Sequence, residues 1–251
     1  MHMDLQTLLI VSLALGAGGL VKGILGLGLP LVALPVLTAA FGLQKAIGIM
    51  LLPILISNAW QIRTHRAALQ DPALRFLPGF LVGGVLGVGV GTVALVNLPE
   101  RILEAGLGVM LLGYVALRLT QPEFVIPERL ARIVAVPMGL AAGTVQGATG
   151  IVAPVGVTFI NAMRIARTAT VVAVSFMLLV YGAAQLTALL VAGVYRLDWL
   201  WMGLFAILPV LAAMPLGEAL GRRMYTATFD RILLALLTAI GLKMVLGLQW
   251  S

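Results

Sequence analysis

Val21-Lys22-Gly23-Ile24-Leu25-Gly26 returns 124 residues later as Val145-Gln146-Gly147-Ala148-Thr149-Gly150, and this return decides how the chain is read. Pro30 matches Pro154 at the same offset, Gln61 matches Gln185, and Asn58 falls opposite Gly182. After a loop-length difference the register resumes at an offset of 130. There Gly87 and Gly91 match Gly217 and Gly221, and Arg101-Ile102-Leu103 matches Arg231-Ile232-Leu233. Colinear Gly, Pro and Gln matches are hard to obtain by chance, so the chain is read as duplicated, with halves at 5–120 and 130–248 in one integral domain.

Around this repeat the composition is that of a membrane protein. Of the 251 residues 61% are apolar and 10% charged, where a soluble domain carries about 25% charged residues. A small soluble fold leaves too much of its surface in water to hide such a sequence. This excludes a soluble enzyme, a disordered chain and a disulfide scaffold. There is no cysteine, which removes thiol catalysis and cysteine metal sites. The formal charge of +7 would suggest nucleic acid in a soluble protein. In a membrane protein the first explanation is basic residues gathered on the cytoplasmic face, and no nucleic-acid partner is expected.

Polar punctuation marks ten apolar segments, near 5–21, 28–43, 46–62, 74–97, 101–120, 133–145, 151–163, 168–194, 199–221 and 230–248. A full crossing takes about 20 residues. Segments one and two, and six and seven, are short for two crossings each. Each pair is therefore read as a Gly-rich broken or re-entrant helical hairpin, tolerated at membrane depth only where protein or water covers it. Residues 8–15 resemble a signal-peptide core, but Asp4 precedes them in place of Lys or Arg, and the repeat needs this segment.

Alternating the segments across a bilayer puts twelve of the sixteen basic residues on one side, Arg63, Arg66, Arg164, Arg167, Arg222 and Arg223 among them. Lys45, Arg101, Arg196 and Lys243 fall on the other. The first side is cytoplasmic by the positive-inside rule, with both termini outside a multi-pass inner-membrane protein. Each half has five segments, an odd number, so the halves run in opposite orientation. The charges agree, because basic residues occupy alternate loops in the two halves. This is the sequence form of an inverted repeat, an architecture of secondary transporters. The expected fold is an all-α polytopic helix bundle of two inverted structural repeats.

The glycine breaks are the candidate site. Gly23, Gly26 and Gly28 interrupt one hairpin and Pro30 opens the next helix. Gly143, Gly147 and Gly150 interrupt the other, followed by Ile151 and Pro154. Proline suits a first helical turn, and the free N–H groups of a helix start suit an anion. The competing reading is that such glycines only allow close helix packing. Lys22 follows a long apolar run, and a buried ammonium marks a functional site by default, unless it snorkels to the interface. Its repeat partner, Gln146, is neutral. Gln61 and Gln185, with Asn58 and Ser57 one turn from the first and Tyr181 one turn from the second, can donate to an oxyanion or tie helices together. Ser175, Thr149 and Thr144 are weaker candidates, and His65 is read as solvated among Arg63 and Arg66. No carboxylate pair lies deep in a span. No phosphate-binding loop or helical metalloprotease motif occurs, so no catalytic residue, metal or cofactor is assigned.

At these residues the chain resembles the TauE/SafE family of membrane proteins, the sulfite and organosulfonate exporters, over nearly its whole length. The family's Gly-rich hairpin pattern reads here as Gly23, Gly26, Gly28 and Pro35, with a looser second copy at Gly147, Gly150 and Pro154. Gly217, Gly221, Arg222 and Arg223 also fit. The resemblance implies secondary export of a small anion such as sulfite or a C2 sulfonate, by alternating access. Leu29 and Pro30 stand where the family often carries two glycines. The expected substrate contacts are Lys22, Gly23, Gly26, Gly28, Pro30, Asn58, Gln61, Gln146, Gly147, Gly150, Ile151, Pro154 and Gln185. The expected partners are the anion and the lipid bilayer. Protons as coupling ion and a homodimer are left open, as are a passive anion channel and a membrane assembly protein in place of a transporter.

Overall fold

The computed structural model describes residues 5–26, 28–120, 125–221 and 226–246, with side chains omitted for 226–233. Asp4, Glu123, Arg222, Arg223, Tyr225 and Trp250 lie outside the described residues. Every described element is helical. The helices are α1 (Leu5–Leu25), α2 (Leu29–Phe41), α3 (Leu43–Thr64), α4 (Leu77–Asn97), α5 (Glu100–Thr120), α6 (Glu128–Thr149), α7 (Thr158–Ala162), α8 (Arg167–Val191), α9 (Leu197–Gly221) and α10 (Thr226–Leu246). A π-helical turn, Ala153–Val157, leads into α7, and two 3₁₀ turns fill the link between α3 and α4. Seven helices are long and apolar enough to cross a membrane. Large side chains such as Leu5, Val82, Ile133, Val191 and Leu208 lie exposed on the surface. Water would penalise such a surface, whereas lipid does not.

All ten sequence segments correspond to helical stretches, with one correction. α1 has 21 residues and α6 has 22, each long enough for a full crossing. Only their partners are short: α2 with 13 residues, and the stretch Ala153–Ala162. The breaks fall later than the first glycines suggested, at Gly26 and Gly28 and at Gly150–Val152. Gly23, Gly143 and Gly147 lie inside continuous helix.

The chain divides into two compact units. The first contains residues 1–53, 98–119 and 196–251; the second contains 54–97 and 120–195. Each draws on both halves of the sequence. In the first unit α1 packs along α9 and against α2. A Cβ on Gly19 would stand 2.8 Å from the Val210 carbonyl oxygen, and one on Gly217 would strike the Leu20 carbonyl. In the second unit α4 packs along α6. Gly79, Gly83, Gly87 and Gly91 recur every four residues on α4, as do Gly139, Gly143 and Gly147 on α6, so each set forms one stripe. The stripes meet backbone to backbone: a Cβ on Gly83 would strike the Val136 carbonyl, and one on Gly143 the Gly84 carbonyl. Small residues permit this approach where no hydrophobic force draws helices together in lipid. The close-packing reading therefore holds for Gly23, Gly143 and Gly147.

In the second unit α8 lies against α4. The Tyr181 ring occupies the space that a side chain at Gly84 would need, and its hydroxyl donates to the Phe80 carbonyl at 3.0 Å. Phe76, Phe80 and Phe159 complete an aromatic cluster with centroid separations of 5.3–6.0 Å, the range of favourable ring contacts. Tyr181 is thus a tie between helices.

In the first unit the α2–α3 loop, the start of α5 and the start of α9 enclose an open cavity of about 440 Å³. Its lining includes Lys45, Glu100, Arg196, Asp198 and Trp199. The charge count assigns all three of these segments to one side. Glu100 accepts the Leu43 N–H at 2.7 Å and so caps α3 from the first turn of α5. Arg196 bonds Asp198 at 3.0 Å.

Candidate functional site

In the second unit α6 ends at Thr149. Gly150 takes a left-handed conformation, φ 75°, and its N–H donates to the Gln146 carbonyl at 2.7 Å. A residue with a Cβ resists this conformation, so the glycine ends the helix as an αL cap. The Ile151 N–H donates to Thr149 Oγ1 at 3.3 Å, and that hydroxyl donates to the Val145 carbonyl at 2.7 Å. Val152 then precedes the π-helical turn, which has Pro154 in its second position and no side-chain cap. The break is buried: Ile151 is 1% exposed and Val152 3%.

The first unit repeats this ending. α1 stops at Leu25, Gly26 has φ 78°, and its N–H donates to the Lys22 carbonyl at 2.7 Å. Gly28, with φ 107°, precedes α2, whose second residue is Pro30; no side chain caps this helix. Lys22 is 1% exposed and Gln146 1%. The snorkelling reading of Lys22 would carry its ammonium to the surface, and its burial is against that.

The N–H groups beside Gly26, Gly28, Gly150 and Ile151 were expected to face an anion; in this conformation those of Gly26, Gly150 and Ile151 each have an acceptor within the protein. The cause is the αL cap itself, which turns the N–H following the helix back onto the last turn. In this conformation the breaks close the helices.

The amides are arranged unevenly. Ser175 Oγ on α8 donates to Gln61 Oε1 on α3 at 3.1 Å. Ten residues further along α8, Gln185 Nε2 donates to the Gly147 carbonyl at 3.1 Å and to the Gln146 carbonyl at 3.4 Å. Gln146 Nε2 donates to Gln185 Oε1 at 3.3 Å. Ten helical residues rise about 15 Å. The Gln61–Ser175 and Gln146–Gln185 pairs are therefore two separate nodes, and one small anion cannot bridge Gln61 and Gln185. All four side chains are at most 3% exposed. Asn58 Nδ2 bonds the Ile54 carbonyl at 2.7 Å and Ser57 Oγ the same oxygen at 3.3 Å. Thr144 bonds back to Leu140 O. His65, read as solvated, has Nδ1 3.0 Å from the Gln61 carbonyl at the end of α3.

Sequence reasoning missed Thr92. It is the one buried polar residue on α4, 2% exposed, and lies at the level of Gly147: a Cβ there would stand 2.8 Å from the Thr92 nitrogen. Its position next to Gly91 in the glycine stripe was the available signal. Ser175, ranked low from sequence, is the direct partner of Gln61.

This is a neutral polar constellation in an apolar helix bundle, built of amides, hydroxyls and carbonyls. Its groups are held by hydrogen bonds, without the desolvation cost of a fixed buried charge. A family model described as Sulfite exporter TauE/SafE matches residues 10–244. No curated protein and no solved structure matches the chain.

Proposed function

The chain belongs to the sulfite exporter TauE/SafE family, a family of membrane transporters, and we propose that it is a secondary exporter of small anions such as sulfite or C2 sulfonates, working by alternating access. The supporting observation is the match in backbone geometry at Gly26 and Gly150. Each is a left-handed glycine ending a membrane-length helix, each donates to the residue four positions back, and each is followed by a short segment with proline second. The reciprocal packing of α1 on α9 and of α6 on α4 also supports an inverted repeat. By the repeat offsets, the first helix of each half pairs with the fourth helix of the other. Such a pairing is what a pseudo-two-fold axis would generate.

The break in each half is the anion-handling element in this reading. In the second unit Gln146, Gly147, Gly150, Ile151, Pro154 and Gln185 form one polar node, and Asn58, Gln61 and Ser175 form another. In the first unit Gly26, Gly28 and Pro30 form the equivalent break, with Lys22 in place of Gln146 in the last turn before it and Gly23 beside it. An αL cap is held by one hydrogen bond at each glycine. Its release frees the glycine N–H at the end of a helix, and its re-formation expels the ligand.

Reconstitution tests the reading. Proteoliposomes carrying the protein should accumulate sulfite or a C2 sulfonate against its gradient when a pH difference is imposed. Strictly downhill flux would instead identify a passive channel, and no flux of any small anion would remove the transport reading.

A further inference from the structure

Among the described residues three buried side-chain atoms have no hydrogen-bond partner: Thr38 Oγ1, Thr92 Oγ1 and Gln146 Oε1. The two threonines are the lesser cases, because a hydroxyl rotates and turns to a helix carbonyl at small cost, as Thr144, Thr187 and Thr238 do here. A buried amide oxygen can only accept. Burying it without a donor forfeits its water bond with no compensation.

The orientation of the Gln146 amide is fixed by its neighbour. Gln185 Nε2 faces two carbonyl oxygens, those of Gly147 and Gln146. Its NH₂ group must therefore point there, and its Oε1 must point at Gln146. That oxygen needs a donor, so Gln146 has to present Nε2 to it. Flipping the Gln146 amide would set two oxygens against each other. The acceptor Gln146 Oε1 is thus left over by the geometry of the pair, whichever way the individual amides are drawn. The second orphan in this unit, Thr92 Oγ1, lies on α4 at the level of Gly147, the residue next to Gln146.

An acceptor oxygen repels a bare oxyanion and attracts a donor. We infer that Gln146 Oε1 receives a hydrogen-bond donor carried by the transported solute, so that the protein favours oxyanions bearing an O–H or N–H over otherwise equal ones without. Hydrogen sulfite and a hydroxyalkyl sulfonate meet this requirement; sulfite dianion and a plain alkyl sulfonate do not. The inference rests on the proposed transport function and adds a selectivity rule to it. A site with a buried acceptor rejects a ligand that leaves it unpaired far more strongly than an apolar site rejects a missing methylene.

The test compares 2-hydroxyethanesulfonate with ethanesulfonate, which differ by one hydroxyl oxygen, by calorimetric titration of the full chain in detergent. The wild type should bind the hydroxy compound about tenfold or more tightly. In Gln146→Leu that ratio should fall to near one, through weaker binding of the hydroxy compound alone. Gln146→Met, closer in shape, gives the same comparison where Leu disturbs folding, and a ratio within one variant does not depend on its yield. Equal binding of the two sulfonates by the wild type, or a ratio that survives both substitutions, would overturn the inference while leaving the transport reading intact. If neither sulfonate binds, the inference falls, and the transport reading is decided by sulfite flux in proteoliposomes.

Discussion

Gly91 and Gly147 meet where α4 crosses α6, so closely that a Cβ on Gly91 would stand 2.9 Å from the Gly147 Cα. Nothing there can shift except the backbones themselves. Alanine at either position should overpack the crossing and cost about 1–3 kcal/mol, and leucine should prevent folding. Gly89, on the same helix, has nothing within 4 Å of its ideal Cβ, so Gly89→Ala should be neutral or slightly stabilising. Thermal unfolding in detergent measures both. Equal losses at positions 89 and 91 would mean that α4 and α6 do not cross in this way.

The Tyr181 hydroxyl bonds the Phe80 carbonyl inside the aromatic cluster of the second unit. Tyr181→Phe keeps the ring and removes one donor from a carbonyl that retains its bond within α4. The expected loss is about 0.5–1.5 kcal/mol in stability, with KM for transport unchanged. A raised KM with unchanged stability would return Tyr181 to the substrate site.

These two cases mark how far the sequence was legible. The helices were, because apolar runs bounded by Gly, Pro and charge have the same length signature wherever they end up. The proline after each break was too, since its fixed φ suits only a helix start. What a glycine does was not. Gly23 and Gly147 read like the helix-breaking Gly26 and Gly150, and only the neighbouring backbone separates a residue inside a crossing from one with positive φ. The pairing of α1 with α9 joins stretches nearly 200 residues apart, which no local pattern encodes. The two-node arrangement of the glutamines follows from that tertiary placement: Gln61 and Gln185 are equivalent by repeat, yet Gln61 bonds Ser175 on α8, while Gln185 sits ten residues further along α8 and bonds Gln146 and Gly147 on α6.

Gln61 and Ser175 should be energetically coupled. Their hydrogen bond joins α3 to α8 within the second unit, and neither residue is more than 3% exposed. A cycle of Gln61→Leu, Ser175→Ala and the double change should give a coupling of about 0.5–1.5 kcal/mol in stability or in transport free energy. Additive effects would separate the two side chains.

The orientation proposed from charge is open to chemistry, because the chain has no cysteine of its own. Gln70 is exposed in the α3–α4 link, on the basic side. Arg196 is exposed before α9, on the other. In intact cells a membrane-impermeant thiol reagent should label Arg196→Cys and spare Gln70→Cys until the membrane is opened. The reverse pattern would invert the topology and place the termini in the cytoplasm.

Lys22 and Gln146 hold equivalent places four residues before the left-handed glycines, yet one ends in an ionisable amine and the other in a neutral amide. Both are 1% exposed, so solvation cannot explain the difference. Holding an ammonium out of water costs several kcal/mol even after relaxation, and an amide of similar reach would avoid that cost. If the charge were only structural, Lys22→Gln should be neutral or raise the melting temperature, with transport intact. If the charge attracts the anion or exchanges a proton during the cycle, the same change should again spare stability but lower the transport rate at least about tenfold, as loss of a charged contact made during turnover does. Measuring melting and flux on the one variant separates these outcomes. A loss of both together would mean that Lys22 holds the fold, through partners the amide cannot replace.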